Sequence, residues 1–294
     1  MNYKAFLETR GYTFKRNLGE GTYGKVVSAY CKDRRRKVAI KVIDKEEVSS
    51  NYLEKFLPRE MKIIRTLRHP NIVKTYDIFG LNSTKVYVVM ELCGKGNLLR
   101  YINHHGALSE PLSCRLFTQL CKAIKYLHKK YVAHRDLKCE NLLLDRHYNL
   151  KVCDFGFSKR LMYRHGNMVL SETYCGSWSY AAPEVLRGLP YNPKLSDVWS
   201  MGVVLYVNVI RLVEIQMKHK IHHPDVPSQR ITIRNILCHP WMLRKWEMED
   251  TDEAPLSNPG SRQEGQPDEN TKEEEEPTQD SSDPGEGPST CAPR

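Results

Sequence analysis

His134-Arg135-Asp136-Leu137-Lys138-Cys139-Glu140-Asn141 sets a carboxylate base, cations and an amide oxygen within eight residues. Asn141 falls five residues after Asp136, a spacing that a known catalytic signature requires. Upstream lies Gly19-Glu20-Gly21-Thr22-Tyr23-Gly24, and downstream Asp154-Phe155-Gly156. Each string alone is weak evidence. Their joint occurrence in this order leaves chance a poor explanation.

The chain of 294 residues is long enough to bury a sizeable core. Its formal charge of +10 is unevenly spread. Residues 1–246 hold 42 Lys+Arg and 20 Asp+Glu, whereas residues 247–294 hold 3 and 15, so a body of +22 carries a tail of −12. A basic body can bind nucleic acid or acidic membrane. Nucleic-acid binding is disfavoured, because Arg34, Arg35 and Arg36 sit in an expected strand-to-strand turn and no reader motif follows. The start Met1-Asn2-Tyr3-Lys4 has no secretory apolar region, and the run near Met201 to Val207 is too short to span a bilayer. The nine cysteines form no CxxC pair, which suits reduced structural thiols in a cytoplasmic setting. Cys153 is read as a small packing residue rather than a redox centre.

The alternation from Tyr12 to Phe14 and the pair Val26-Val27 flank the glycine-rich turn, so two strands are expected around it. A dinucleotide fingerprint would open a helix at that point; a second strand follows instead. Glycines let backbone N–H groups close over phosphates. Val38 to Ile43 reads as a buried strand with Ala39 and Lys41 on one face. A Lys in such a run is unfavourable unless it snorkels to water or is paired. Pro58 suits a helix first turn, and Glu60, Ile63, Ile64 and Leu67 then follow at helical spacing. Glu60 therefore lies on the inward face and is the expected partner of Lys41. Val86 to Leu92 is a further strand running into Cys93-Gly94-Lys95-Gly96, an expected hinge. Leu112, Leu116, Leu120, Ile124 and Leu127 mark a core helix that leads to the opening stretch. Pro193 to Ile210 is apolar on all sides, so a fully buried helix is expected, with Asp197 needing a partner inside it.

Together these motifs resemble a eukaryotic serine/threonine protein kinase, with Lys138 marking the Ser/Thr branch. Phe56-Leu57-Pro58-Arg59-Glu60, the run His134 to Leu144, Asp154-Phe155-Gly156-Phe157-Ser158-Lys159 and Tyr174-Cys175-Gly176-Ser177 are similar to the testis-specific serine kinase family. The resemblance implies an α+β, two-lobe protein-kinase fold, with a small β-rich lobe over 12–93 and a helical lobe over 94–246. Residues 1–11 would be an N-terminal extension. It implies transfer of the ATP γ-phosphoryl group to protein Ser or Thr hydroxyls, Mg²⁺ as cofactor, and a role in sperm development.

The resemblance also assigns roles. Asp136 would be the base, Lys138 would neutralise the transferring group, and Lys41, held by Glu60, would meet the α- and β-phosphates. Asn141 and Asp154 would hold Mg²⁺. Leu18, Gly19, Gly21, Gly24, Val26, Ala39, Met90, Glu91, Cys93 and Leu143 would enclose the nucleotide. Thr173 sits where the family carries an activating phosphate, added by an upstream kinase and clamped by Arg135. Ser177 would bond Asp136 and Lys138, Asp197 would support the catalytic-loop backbone, and Arg230 would pair with Glu184. A monomer with no membrane attachment is expected.

The pattern breaks in places. The family carries a much longer connection between Asp197 and the Arg at 230, so the helical lobe reads as shortened between Ile210 and Arg230, with one remnant helix over 211–224. A single terminal helix is expected from Ile231 to Trp246, with Trp241 packing inward. Lost cover over the buried helix would expose apolar surface and reduce stability or activity. A catalytically impaired ATP-binding scaffold is therefore the alternative function. Asn97 replaces an acid that related kinases use, and Trp178 is large for its place beside the substrate. Residues 247–294 lack aromatics and carry the block Glu273 to Glu276, the composition of a disordered acidic tail.

Overall fold

The computed structural model describes residues 3–21, 24–210 and 226–244. Five strands form one antiparallel sheet in the order β1-β2-β3-β5-β4: β1 Tyr12–Gly21, β2 Gly24–Cys31, β3 Arg36–Asp44, β4 Thr75–Phe79 and β5 Lys85–Glu91. The period of two sorts each strand between two cores. Val38, Ile40 and Val42 join Val27, Ala29, Tyr87 and Val89 on the outer face, while Ile43, Val86 and Val88 join the main core. Both faces are covered, which is why β3 and β5 read as near-continuous apolar runs.

The outer cover comes from a helix that sequence reading treated only as an extension. Helix α1 (Tyr3–Thr9) buries Leu7 completely and sets Phe6 against Tyr87 at 5.0 Å between ring centroids. On the other face, a π-helical turn over Tyr52–Phe56 runs without a capping side chain into α2 (Leu57–Ile64). Helix α2 buries Leu57, Glu60, Met61, Ile63 and Ile64. Glu60 therefore sits on the inward face, as its spacing predicts.

The helical lobe is built on α3 (Leu98–His105) and α4 (Glu110–Lys129). Ser109 caps α4 by accepting the Leu112 N–H, and Leu116, Leu120, Ile124 and Leu127 are buried along its stripe. Short strands follow: β6 (Val132–Ala133), β7 (Leu142–Leu144), β8 (Leu150–Val152), β9 (Lys159–Arg160), β10 (Tyr163–Arg164) and β11 (Asn167–Met168). β7 pairs with β8 and β6 with β9, so both ends of the catalytic stretch are tied down. Helix α5 (Pro183–Leu186) precedes α6 (Pro193–Ile210), which buries Val198, Met201, Val203, Val204 and Val207 against α4 and its neighbours.

The single helix expected from Ile231 to Trp246 is instead two, α7 (Ile233–Leu237) and α8 (Pro240–Leu243). Pro240 has no N–H to donate and drives His239 to an extended conformation, ψ 140°. The His239 ring then caps the new helix through the Trp241 N–H at 3.2 Å. Trp241 does pack against the main core, as expected. The remnant helix expected over 211–224, Trp246 and the acidic tail over 247–294 lie outside the described residues.

Candidate active site

Antiparallel pairing sets Lys41 of β3 beside Val26 of β2 and Val88 of β5, on the inner face of the sheet. Its Nζ lies 3.3 Å from Glu60 Oε1 and 3.5 Å from Asp154 Oδ1. Burial alone would push the ammonium down, but Asp154 and then Glu60 outweigh it and hold its pKa well above the ordinary lysine value. Lys41 in turn keeps the Asp154 carboxyl below the usual range, against burial. The second Glu60 oxygen accepts the Tyr52 hydroxyl at 3.0 Å. Sequence reading missed Tyr52, because it lies on a π-turn with no periodic pattern to place it.

The catalytic stretch joins β6 to β7. Asp197 of α6 accepts the N–H groups of His134 at 3.0 Å and Arg135 at 2.8 Å, and lies 2.8 Å from His128 Nε2. These bonds hold Arg135 in a left-handed conformation, φ 67°, which a non-glycine residue adopts only when its surroundings enforce it. Asp136 is buried within a closed network. Its Oδ1 accepts both the N–H and the hydroxyl of Ser177 at 2.9 Å, and its Oδ2 accepts Asn141 Nδ2 at 3.0 Å. Lys138 Nζ lies 3.4 Å from Asp136 Oδ2 and donates to Ser177 Oγ at 2.8 Å. Asn141 turns its NH₂ onto Asp136, which leaves its amide oxygen available to a cation.

The residues expected to enclose a nucleotide come from β1, β2, β3, β5, the turn after β5, and β7. At Gly24 a Cβ would overlap the Val42 carbonyl, so only glycine fits there. Leu18 is exposed, Ala39 is buried, and Val26, Met90 and Leu143 are half-buried. The Glu91 N–H bonds the Lys74 carbonyl at 2.9 Å, and its carboxylate holds Lys151 Nζ at 2.7 Å. Burial pushes the Cys93 thiol up to about 12 and raises Cys153 well above the ordinary value. Cys153 is thereby a protonated packing residue, consistent with its sequence reading.

Past the Asp154-Phe155-Gly156 turn, Arg135 donates to the Phe157 carbonyl at 2.8 Å, to Ser171 Oγ at 3.1 Å and to the Tyr191 hydroxyl at 3.4 Å. Tyr191 passes the link on to the Thr173 carbonyl at 3.0 Å, and Thr173 itself is exposed. Arg135 Nη2 is buried with no partner among the described residues. Burial and the charge of Arg135 lower both the Arg59 guanidinium and the Lys159 ammonium. These two cations were not singled out from the sequence, since they come from separate elements, α2 and β9. Further on, Arg230 and Glu184 form the expected pair, with two bonds of 2.6 Å.

Comparison with known proteins shows the family. A protein kinase domain family matches residues 12–223. Testis-specific serine/threonine-protein kinase 1 of Mus musculus is 46% identical over 276 residues, covering 83% of this chain and 75% of that protein. Testis-specific serine/threonine-protein kinase 2 of Mus musculus is 44% identical over 273 residues, covering 82% and 76%. This chain is a testis-specific-type serine/threonine kinase. Testis-specific serine/threonine-protein kinase 3 of Homo sapiens is 50% identical over 202 residues, covering 69% and 74%.

The kinase is shorter than its relatives within the matched region. Its alignment to the first relative runs over 276 positions but takes in 83% of 294 residues, about 244. The relative therefore carries roughly thirty positions with no counterpart here. Asn97 is occupied in capping α3, where its Oδ1 accepts the Arg100 N–H at 2.8 Å. Trp178 is 71% exposed, with its ring edge-on to Tyr174 at 5.4 Å, immediately after the Ser177 that holds Asp136. Among the described residues no helix is long and apolar enough to cross a membrane, and no group of three His, Cys, Asp or Glu could hold a metal.

Proposed function

We propose that this kinase uses Mg-ATP, and that Asp136, Lys138, Lys41, Asn141 and Asp154 carry the reaction. The observation behind the reading is the closed network around Asp136, which fixes a buried carboxylate against a lysine ammonium and the Asn141 NH₂. Asp136 accepts the proton of a substrate Ser or Thr hydroxyl as its oxygen bonds the γ-phosphorus and the bond to ADP breaks. Lys138 faces the charge that develops on the transferring group. Lys41, fixed by Glu60, meets the α- and β-phosphates.

Asn141 and Asp154 offer two hard oxygen donors, too few for a closed metal cage. That set suits Mg²⁺, which keeps waters and takes its other ligands from phosphates. Once bound, the ion would screen phosphate charge. Leu18, Gly19, Gly21, Gly24, Val26, Ala39, Met90, Glu91, Cys93 and Leu143 enclose the nucleotide in this reading. Thr173 is the activating phosphorylation site for an upstream kinase. Arg135 receives that phosphate together with Arg59 and Lys159, three cations without a carboxylate in ion-pair range among the described residues.

A role in sperm development is in keeping with the testis-specific names of the relatives; a cytoplasmic setting, a monomer, and a kinase domain over 12–246 followed by an acidic tail complete the proposal. An impaired scaffold is the weaker reading, because Lys41, Asp136 and Asp154 are all present and their partners assembled. Transfer of radiolabelled phosphate to a generic protein substrate tests it, with Asp136→Asn as the control. Label in the parent alone supports the reading; equal label in both overturns it. Thr173→Ala should lower the rate while leaving nucleotide binding unchanged.

A further inference from the structure

We propose that the groove between α2 and β9 docks an acidic segment of a partner protein, apart from the catalytic cleft. Lys55, Pro58, Arg59, Lys62 and Ile63 recur at helical spacing and form one wall. Lys159, Arg160 and Met162 form the other, and the space between holds about 420 Å³. β9 cannot drift from its place, because Arg160 pairs with Val132 and Lys159 with Ala133 of β6. No acid lines the groove, and none of its five cations has a carboxylate within 4 Å among the described residues. Glu172 is the carboxylate whose charge acts on Lys159, and its effect is smaller than that of burial and of Arg135 and Arg59. Arg135, whose buried Nη2 has no partner among the described residues, adds a sixth positive charge that acts on Arg59 and Lys159.

Charge arithmetic points beyond the kinase's own regulation. A phosphate on Thr173 would bring about −2. That can satisfy Arg135, Arg59 and Lys159 but leaves Lys55, Lys62 and Arg160 unbalanced. These three sit exposed along the rim. The lining also fixes the class of ligand. Pro58 and Met162 offer exposed apolar surface over the buried Ile63, and no aromatic ring lines the groove among the described residues to stack a base, the usual platform for single-stranded nucleic acid. Acidic residues interspersed with aliphatic ones match both surfaces.

Fluorescence anisotropy of the full chain with a short fluorescein-labelled peptide of alternating glutamate and leucine tests this without nucleotide, so it is independent of the catalytic reading. Saturable binding that weakens with salt is expected. The triple variant K55E/K62E/R160E should weaken it about tenfold or more, whereas K129E/K130E at the end of α4 should not. Arg160→Glu alone, with an unchanged circular dichroism spectrum, should give part of the loss. Absence of saturable binding, equal loss in both multiple variants, or equal displacement by single-stranded DNA overturns the proposal.

Discussion

Arg230 and Glu184 are joined by two parallel bonds of 2.6 Å, although 46 residues separate them. The pair is buried, and Arg230 also donates to the Leu195 carbonyl at 3.2 Å and stacks on Trp199 at 5.0 Å. It fastens the stretch just before α7 to the first turn of α5. Removing one partner leaves the other charge buried and unpaired. Arg230→Met should therefore destabilise by about 3–5 kcal/mol. Urea unfolding of R230M, E184Q and the double variant checks this, and the double variant should lose less than the two singles combined.

Tyr52 fixes the Glu60 carboxylate from the side opposite Lys41. A hydrogen bond to a charged group contributes about 1.5–3 kcal/mol. Tyr52→Phe should destabilise on that scale and lower phosphoryl transfer, because Glu60 loses one of its two restraints. Thermal melts with steady-state kinetics measure it. An unchanged melting temperature would mean that Lys41 alone positions Glu60.

Gly176 has φ 104°, and a Cβ there would lie 2.5 Å from the Arg135 carbonyl and 3.6 Å from Asp136 Oδ1. Gly176→Ala must move the next residue, Ser177, away from Asp136. Strain of about 1–3 kcal/mol is expected. The kcat should fall while KM for ATP changes little, since the residues proposed to enclose the nucleotide lie elsewhere. Steady-state kinetics on the folded variant separates the two.

Burial pushes the thiols of Cys93, Cys121 and Cys139 up to about 12 from an ordinary 9.0. At pH 8 their thiolate population should be about a thousandfold below that of an ordinary thiol. Mass-spectrometric mapping of iodoacetamide labelling should find the exposed Cys238 modified long before them. The stability consequence has a definite sign. A folded pKa above the unfolded one leaves stability intact below about pH 9 and erodes it as pH rises towards 12. Tyr12, also raised to about 12, adds to the loss. Melting temperatures at pH 8 and pH 10 should show the decline.

Much of the site was legible in the chain because short-range geometry carries it. The step from Asp136 to Asn141, the period of two through Ala39 and Lys41, and the helical spacing that turns Glu60 inward are all local. Even the 46-residue link from Glu184 to Arg230 was readable, through resemblance to related chains. The break between α7 and α8 was also written locally, in Pro240, but the apolar pattern masked it.

Residue types and their spacing alone marked Lys41, Asp136, Asn141 and Asp154 as candidates for one chemistry, because together they match a known catalytic signature. Only the tertiary structure decided what stands around them. Tyr52 behind Glu60, Leu7 over the sheet and the meeting of Lys55, Arg59, Lys159 and Arg160 in one groove arise where separate elements pack together. Such contacts have no period along the chain. They exist because burial of apolar surface brings distant segments together and their polar groups must then find partners or a ligand.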